Sequence, residues 1–406
     1  MERPHRPRPT RAGFTLVELL VAILIIAALL AILLPTVGAA FKRAKEASVS
    51  AEMNNMATAL ASFKNTYNDF PPSRIILSEV GYAALLTNTT PVASGPTGDP
   101  NTADITVGLL AQRSLTYLRK FFPRADFIGV PGAGSTQGHF NDFNGNATLD
   151  TNYYIINGSE CLTFFLGGIP IVDTSVTPHV IKGLSGFSKS PTHPFVDAGT
   201  FAGTTTLVAP NRTVPNYEFN NGRLFDQDGD GIPSYFDPLD QTPGRRRTYA
   251  YFSAYGTNQY DPNDVNGYGR ANTGSNGGAE NFELEDDGTT FVERSFSVFF
   301  PTSSGTPYFA KSAAPNPYTT GAAAIGTSST TSTAAVSWYN PNSYQIICSG
   351  QDRLWGLGGQ YIQNATSGSS LPLETTDPGL IHAGDALSIR QREADNLANF
   401  TAGRLQ

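Results

Sequence analysis

The segment DQDGDGIPSYFD, residues 226–237, sets carboxylates at Asp226, Asp228 and Asp230, a glycine at 231, a carbonyl at Ile232 and a closing carboxylate at Asp237. That is the spacing D-x-[DN]-x-[DN]-G-x5-[DE], which wraps hard oxygen donors around calcium. Alternating carboxylates converge on one point only when a cation offsets their repulsion, so a structural calcium ion is the reading favoured over a solvated acidic turn. Pro233 and Pro238 exclude an exiting helix, and with it a helix-loop-helix site. A second oxygen-rich stretch, DFNGNATLD, offers Asp142, Asn144, Asn146 and Asp150 with its glycine one place early; calcium and an ordinary Asn-Gly turn fit it equally. DPNDVNG, residues 261–267, reads as a turn, and Arg245, Arg246 and Arg247 either pair with the acidic loop or face solvent. Nothing suggests catalysis. His139, His179, His193 and His382 are scattered, and no HExxH, GxSxG or Gly-Lys phosphate loop occurs, so no enzyme is expected.

The 406 residues carry 27 Lys and Arg against 34 Asp and Glu, a net charge of −7. Phosphate backbones demand a basic stripe, and outside Arg245–Arg247 and the extreme N-terminus the basic residues are dispersed; nucleic acid is set aside. With 40 Gly, 28 Pro and 15% charged residues the surface is turn-rich and neutral, while 40% hydrophobic residues supply a sizeable core. The two cysteines, Cys161 and Cys348, rule out a four-cysteine zinc site. Both lie in apolar segments, which favours buried thiols over a single bridge.

Residues 1–13 hold Arg3, Arg6, Arg8 and Arg11 against Glu2, and the apolar run FTLVELLVAILIIAALLAILLP follows. From Phe14 to Leu34 there are 21 residues with one charge, enough at ~1.5 Å per residue to cross the ~30 Å hydrocarbon core. Arginines before the span place the N-terminus in the cytoplasm and the rest of the chain outside. Glu18, inside the span, costs at least ~2.5 kcal/mol in lipid and calls for a cationic partner, which cutting after Gly13 would create as the α-amine of Phe14. An ordinary secretory signal, cleaved near Val37-Gly38-Ala39, and a plain single-pass anchor both leave Glu18 without a cause. Beyond Pro35, Val49, Met53, Met56, Leu60, Phe63 and Tyr67 recur at three and four, which predicts one amphipathic helix over 14–68 that Asp69 and Pro71-Pro72 end.

RAGFTLVELLVAILIIAALLAILLP resembles the signal of type IV pilins and type II secretion pseudopilins, over about the first fifty residues. The resemblance implies that a prepilin peptidase cuts between Gly13 and Phe14 and N-methylates Phe14, that Glu18 and Pro35 are the family's assembly glutamate and helix-kinking proline, and that other pilin subunits are partners through the N-terminal helix. It further implies a single pass of the inner membrane, an extracytoplasmic head, and a filament at the cell surface or in the periplasm. Pseudopilin heads often carry structural calcium, although the 226–237 loop does not match theirs residue by residue and is more similar to the calcium loops of thrombospondin type 3 repeats. The leading expectation is a structural filament subunit with a calcium-stabilised head; the alternative is a membrane-anchored surface module binding glycan or protein.

The fold class expected is α+β, with the long helix packed on a loop-rich, mostly β head over 69–406. Helices are predicted at 75–86, 106–120 and 158–167, and strands at Thr248–Ala254, Phe291–Phe300 and Ser343–Cys348. Loops are predicted at 186–215, 256–280 and 312–335, the last as a low-complexity excursion beyond the calcium-loop region of about 226–240. SYQIICSGQDRLWGLGG resembles the last strand and loop of pseudopilin heads. Mass spectrometry of the purified protein should show a chain beginning at N-methylated Phe14; a mature start near Ala40, or an intact Met1, would refute the cleavage assignment.

Overall fold

In a computed structural model of the chain the described residues are 15–93, 103–128, 141–146, 148–173, 180–195, 211–226, 230–239, 241–242, 246–256, 259–261, 264, 285–286, 291–292, 296–300, 308–312, 316–320, 324–325, 337–353, 355, 358–365, 370–371 and 392–405. Good helix formers carry the first element, α1 (Leu16–Tyr67), through 52 residues. It runs on through Pro35, which has no N–H to give the carbonyl of Ala31. Asn68 ends it: its left-handed φ of 60° breaks the helical path while its N–H still reaches the Lys64 carbonyl at 2.7 Å.

The chain divides into two units, Met1–Ala47 and Ser48–Gln406, so the boundary falls inside α1 and not at Asn68, where the sequence reading separates helix from head. In the first unit the large apolar side chains are exposed, from Leu16 at 79% to Phe41 at 68%. In the second, Val49, Met53, Met56, Ala59, Leu60 and Phe63 are buried, which is the predicted stripe with Ala59 added and Tyr67 half-buried at its end.

The larger unit adds helices α2 (Val107–Phe121) and α3 (Gly158–Gly167), both where the sequence places them. Thr106 caps α2, its hydroxyl accepting the Leu109 N–H at 3.3 Å. All ten residues of α3 are buried. Phe63 of α1 meets Phe121 of α2 edge-on at 5.2 Å and Phe165 of α3 at 5.9 Å, so the three helices share one aromatic contact. The strands that position the sites are β1 (Arg74–Ser78), β2 (Tyr153–Asn157), β3 (Leu224–Phe225), β4 (Ser234–Tyr235), β5 (Ala250–Tyr255), β6 (Gln259–Tyr260), β7 (Tyr344–Cys348) and β8 (Leu397–Ala398).

The helix expected over 75–86 does not form. Its first part is β1, antiparallel to β2 from Arg74↔Asn157 to Ser78↔Tyr153, and only Leu85–Thr87 makes a short 3-10 turn. Ile75, Ile76 and Leu77 are buried with both neighbours, and α2 adds the Ser114 hydroxyl as acceptor for the Ile76 N–H at 2.8 Å. A short apolar run without alternation has no period to separate a covered strand from a buried helix, and β-branched residues with a partner strand decide it.

The main sheet has the order β6-β5-β7-β8, with neighbours antiparallel, and its two faces feed two different cores. Tyr251, Tyr344, Ile346, Cys348 and Leu397 face the larger core, which holds the α1 stripe; Ala250, Phe252, Tyr260, Ile347 and Ala398 face a smaller one built around Tyr318, Trp338 and Trp355. The period-two alternation of Tyr344–Cys348 is therefore covered on both sides. β7 is followed by β8, so it is an interior strand and not the last one. Tyr318–Thr319 pairs in parallel with Gly359–Gln360, and Tyr318 is fully buried. The 312–335 segment thus contains packed chain, because one large aromatic is enough to seat it; residues 321–323 and 326–335 lie outside the described residues. The expected Phe291–Phe300 strand is found as Phe291–Val292 and Phe296–Phe300. Within the predicted loops, β6 and an isolated bridge from Ser188 to Arg212 are the added pairings, and 196–210 and 265–280 are not described. Cys161 and Cys348 are both buried free thiols.

Candidate functional sites

Three side-chain constellations stand out. The first opens α1. Oε2 of Glu18 accepts both the N–H and the hydroxyl of Thr15 at 2.8 Å, and Oγ1 of Thr15 accepts the Glu18 N–H at 3.2 Å. This reciprocal pairing is a capping box, Thr15-Leu16-Val17-Glu18, and it supplies donors to the carboxylate from within its own helix. Sequence reasoning assigned Glu18 a cationic partner and passed over this T-x-x-E signal. Gly13 and Phe14 lie outside the described residues.

The second constellation joins two loops far apart in sequence. β3 pairs with β4 as a hairpin, Leu224↔Tyr235 and Phe225↔Ser234, so the acidic segment is its tip. There Oδ2 of Asp226 accepts the Gly231 N–H at 2.9 Å and Oδ1 of Asp230 accepts the Ile232 N–H at 2.7 Å. Gly231 has a φ of +90°, and a Cβ on it would stand 2.9 Å from Cβ of Asn144, so only glycine fits the approach of the second loop. Asn144 Nδ2 donates to the Asp230 carbonyl and to Oδ2 of Asp150, both at 3.1 Å, and Asn146 Nδ2 donates to the same Asp150 oxygen at 2.9 Å. Asp142 turns its own loop by accepting the Gly145 N–H at 2.7 Å.

Asp237 is not at the tip. It is fully buried and bound to Arg353, whose Nη1 lies 2.7 Å from each carboxylate oxygen, so a fixed cation already neutralises it. Asp228 lies outside the described residues, and among the described residues no three His, Cys, Asp or Glu side chains stand close enough to hold a metal. Asp226, Asp230 and Ile232 share the tip with the Asp142–Asp150 loop, a juxtaposition that spacing in one dimension cannot show. Of the arginine run, Arg246 lies over the Phe225 ring at 3.8 Å and the Arg247 carbonyl accepts the Asp237 N–H at 2.9 Å; both brace the hairpin base.

Glu79, which no motif flagged, underlies both loops. Its carboxyl accepts the Phe143 N–H at 3.2 Å and the Asp150 N–H at 2.8 Å. Burial, with the nearby carboxylates of Asp142 and Asp150, raises its pKa to about 9. Burial together with Asp150, Glu79 and Asp230 also pushes up the Tyr154 phenol, whose oxygen accepts from Asn144 at 3.2 Å. The DPNDVNG turn is equally more than a turn. Asp261 and Asp264 pair with Arg74 and Arg113 at 2.9–3.4 Å, all four nearly buried, tying β1 to α2.

The third constellation holds α1. Glu52 is bonded by Arg223 through both terminal nitrogens, Nη1 at 2.9 Å, and by the hydroxyls of Tyr235 at 2.7 Å and Tyr249 at 2.6 Å. Burial opposes ionisation, but the hydrogen bonds from Arg223, Tyr249 and Tyr235 outweigh it and hold the carboxyl below its usual pKa. Arg223 also donates to the Phe236 carbonyl at 2.9 Å, which locks it to the hairpin.

The family description "Prokaryotic N-terminal methylation motif" matches residues 8–34. That stretch contains Gly13, Phe14, Thr15 and Glu18, and with the long apolar helix it is a type IV pilin-like prepilin signal. No curated protein and no solved structure matches the chain. The signal supports an exported protein of the pilin or pseudopilin type, anchored by α1, the one described helix long and apolar enough to cross a membrane.

The Glu79 shift carries a pH dependence of known sign. Between about 4.5 and about 9 the folded protein holds a proton that the unfolded chain releases, so stability falls as pH rises, by at most ~1.4 kcal/mol per unit. Thermal melting of the full chain in detergent and chelator should show the melting point dropping from pH 5 to pH 9, with Glu79→Gln flattening that slope. A variant with the wild-type slope would contradict the assignment.

Proposed function

We propose that the chain is a structural subunit of a type IV pilus or type II secretion pseudopilus: a prepilin, matured by prepilin peptidase, whose head stands outside a singly crossed inner membrane. One observation carries this reading, the pairing of the methylation motif with an α1 whose first-unit apolar side chains are exposed along their whole length. Such a surface has no place in water, and lipid before assembly followed by neighbouring subunits after it would cover it. The role proposed is mechanical and not catalytic. We further propose that the hairpin tip takes a calcium ion through Asp226, Asp228, Asp230 and the Ile232 carbonyl, with oxygens of the Asn144 loop alongside; the closeness of the two oxygen-rich loops and the tight turn at Gly231 support it.

Glu18→Ala separates insertion from assembly. Hydrophobicity still holds the span in the bilayer, and the carboxylate that would pair with a subunit amine is gone. Immunoblots should find the variant processed and membrane-bound but depleted from the sheared surface fraction. Equal recovery of variant and wild type in that fraction would count against the filament reading.

A further inference from the structure

The acidic hairpin tip and the grip on α1 are two ends of one element. Asp226 stands three residues from Arg223, and Asp230 five residues from Tyr235, across a hairpin of two paired positions per strand. The base is doubly fixed: the Phe236 N–H donates to the Arg223 carbonyl at 3.0 Å while the Arg223 side chain returns a bond to the Phe236 carbonyl. β4 is held from below by α3, with Ser159 Oγ accepting the Tyr235 N–H at 2.7 Å and Thr163 donating to the Pro233 carbonyl. Among the described residues of α1 from Ser48 onward, Glu52 alone makes side-chain hydrogen bonds to the rest of the head, and Arg223 and Tyr235 of this hairpin supply most of them. The remainder of that surface is apolar and packs without direction. A hairpin this short has no slack to absorb a change at its tip.

We propose that the β3–β4 hairpin is a lever: closure of its acidic tip sets Arg223 and Tyr235 in place, and through Glu52 fixes how firmly the second half of α1 is docked in the head. Arg223 and Glu52 are positioning residues in this device. A divalent cation at the tip would then tighten the helix that carries the subunit's contacts, a consequence that rests on the calcium reading above, whereas the lever itself does not.

Hydrogen exchange on the full chain in detergent tests both separately, with calcium chloride and with chelator as the only additions. In wild type, calcium should slow exchange several-fold at Gly231–Ile232 and also along residues 49–63. In Glu52→Gln, tip protection should still respond while the α1 response disappears. Asp226→Ala, which removes the acceptor for the Gly231 N–H, should speed exchange along 49–63 in chelator, with no metal involved. Calcium protection confined to the tip in wild type overturns the lever and leaves the cation site standing. If calcium protects neither region, the cation reading fails, and Asp226→Ala alone decides the lever: unchanged α1 exchange in that variant overturns it.

Discussion

Everything in the larger unit is arranged around the burial of one helical stripe. Val49, Met53, Met56, Ala59, Leu60 and Phe63 lie at three- and four-residue intervals, and their complete removal from water is what α2, α3 and the inner face of the main sheet provide. Phe63 sits where Phe121 and Phe165 converge, so the helix is held by edge-on aromatic contacts as well as by area. The same helix bears, before Ser48, a run of exposed leucines, isoleucines and valines with no cover of its own. One continuous element thus has two demands for an apolar environment, and only the second is met within the chain.

Direction is added to that non-directional burial by a few polar devices. The Glu52 grip fixes rotation of α1, the Arg74–Arg113–Asp261–Asp264 cluster fixes the first strand against α2, and Asp237 with Arg353 fixes the base of the acidic hairpin against the turn after β7. Each is buried and charge-balanced, which is the condition under which ion pairs specify geometry without leaving an uncompensated charge. The tip loops differ: Glu79, Asp142, Asp150 and Asp230 share one negative field, and the Glu79 carboxyl responds by holding its proton.

Local signals were readable in the sequence and long-range ones were not. The α1 stripe, the Thr106-capped α2, α3 to the residue, and the Tyr344–Cys348 strand all follow from periods and caps carried by neighbouring residues. The 75–86 segment was misread because Ile75-Ile76-Leu77 has no alternation, and its strand partner lies beyond residue 150. The T-x-x-E box at Thr15 was legible but overshadowed by the lipid argument for Glu18. Asp237 matched a ligand pattern while its counter-ion, Arg353, lay 116 residues away. Glu52, Glu79 and Arg223 carry no motif at all; their roles arise only when hairpin, loop and helix meet.

The central claim is that the exposed part of α1 is covered by the same part of other copies. Electron cryomicroscopy of material sheared from cells expressing the full chain addresses it without inference. The account predicts helical filaments, or segments of a mixed filament, with residues from Phe14 to about Ala47 packed together along the axis and the heads outermost. Filaments lacking this chain, with the protein found only as dispersed membrane-bound monomers, would contradict it.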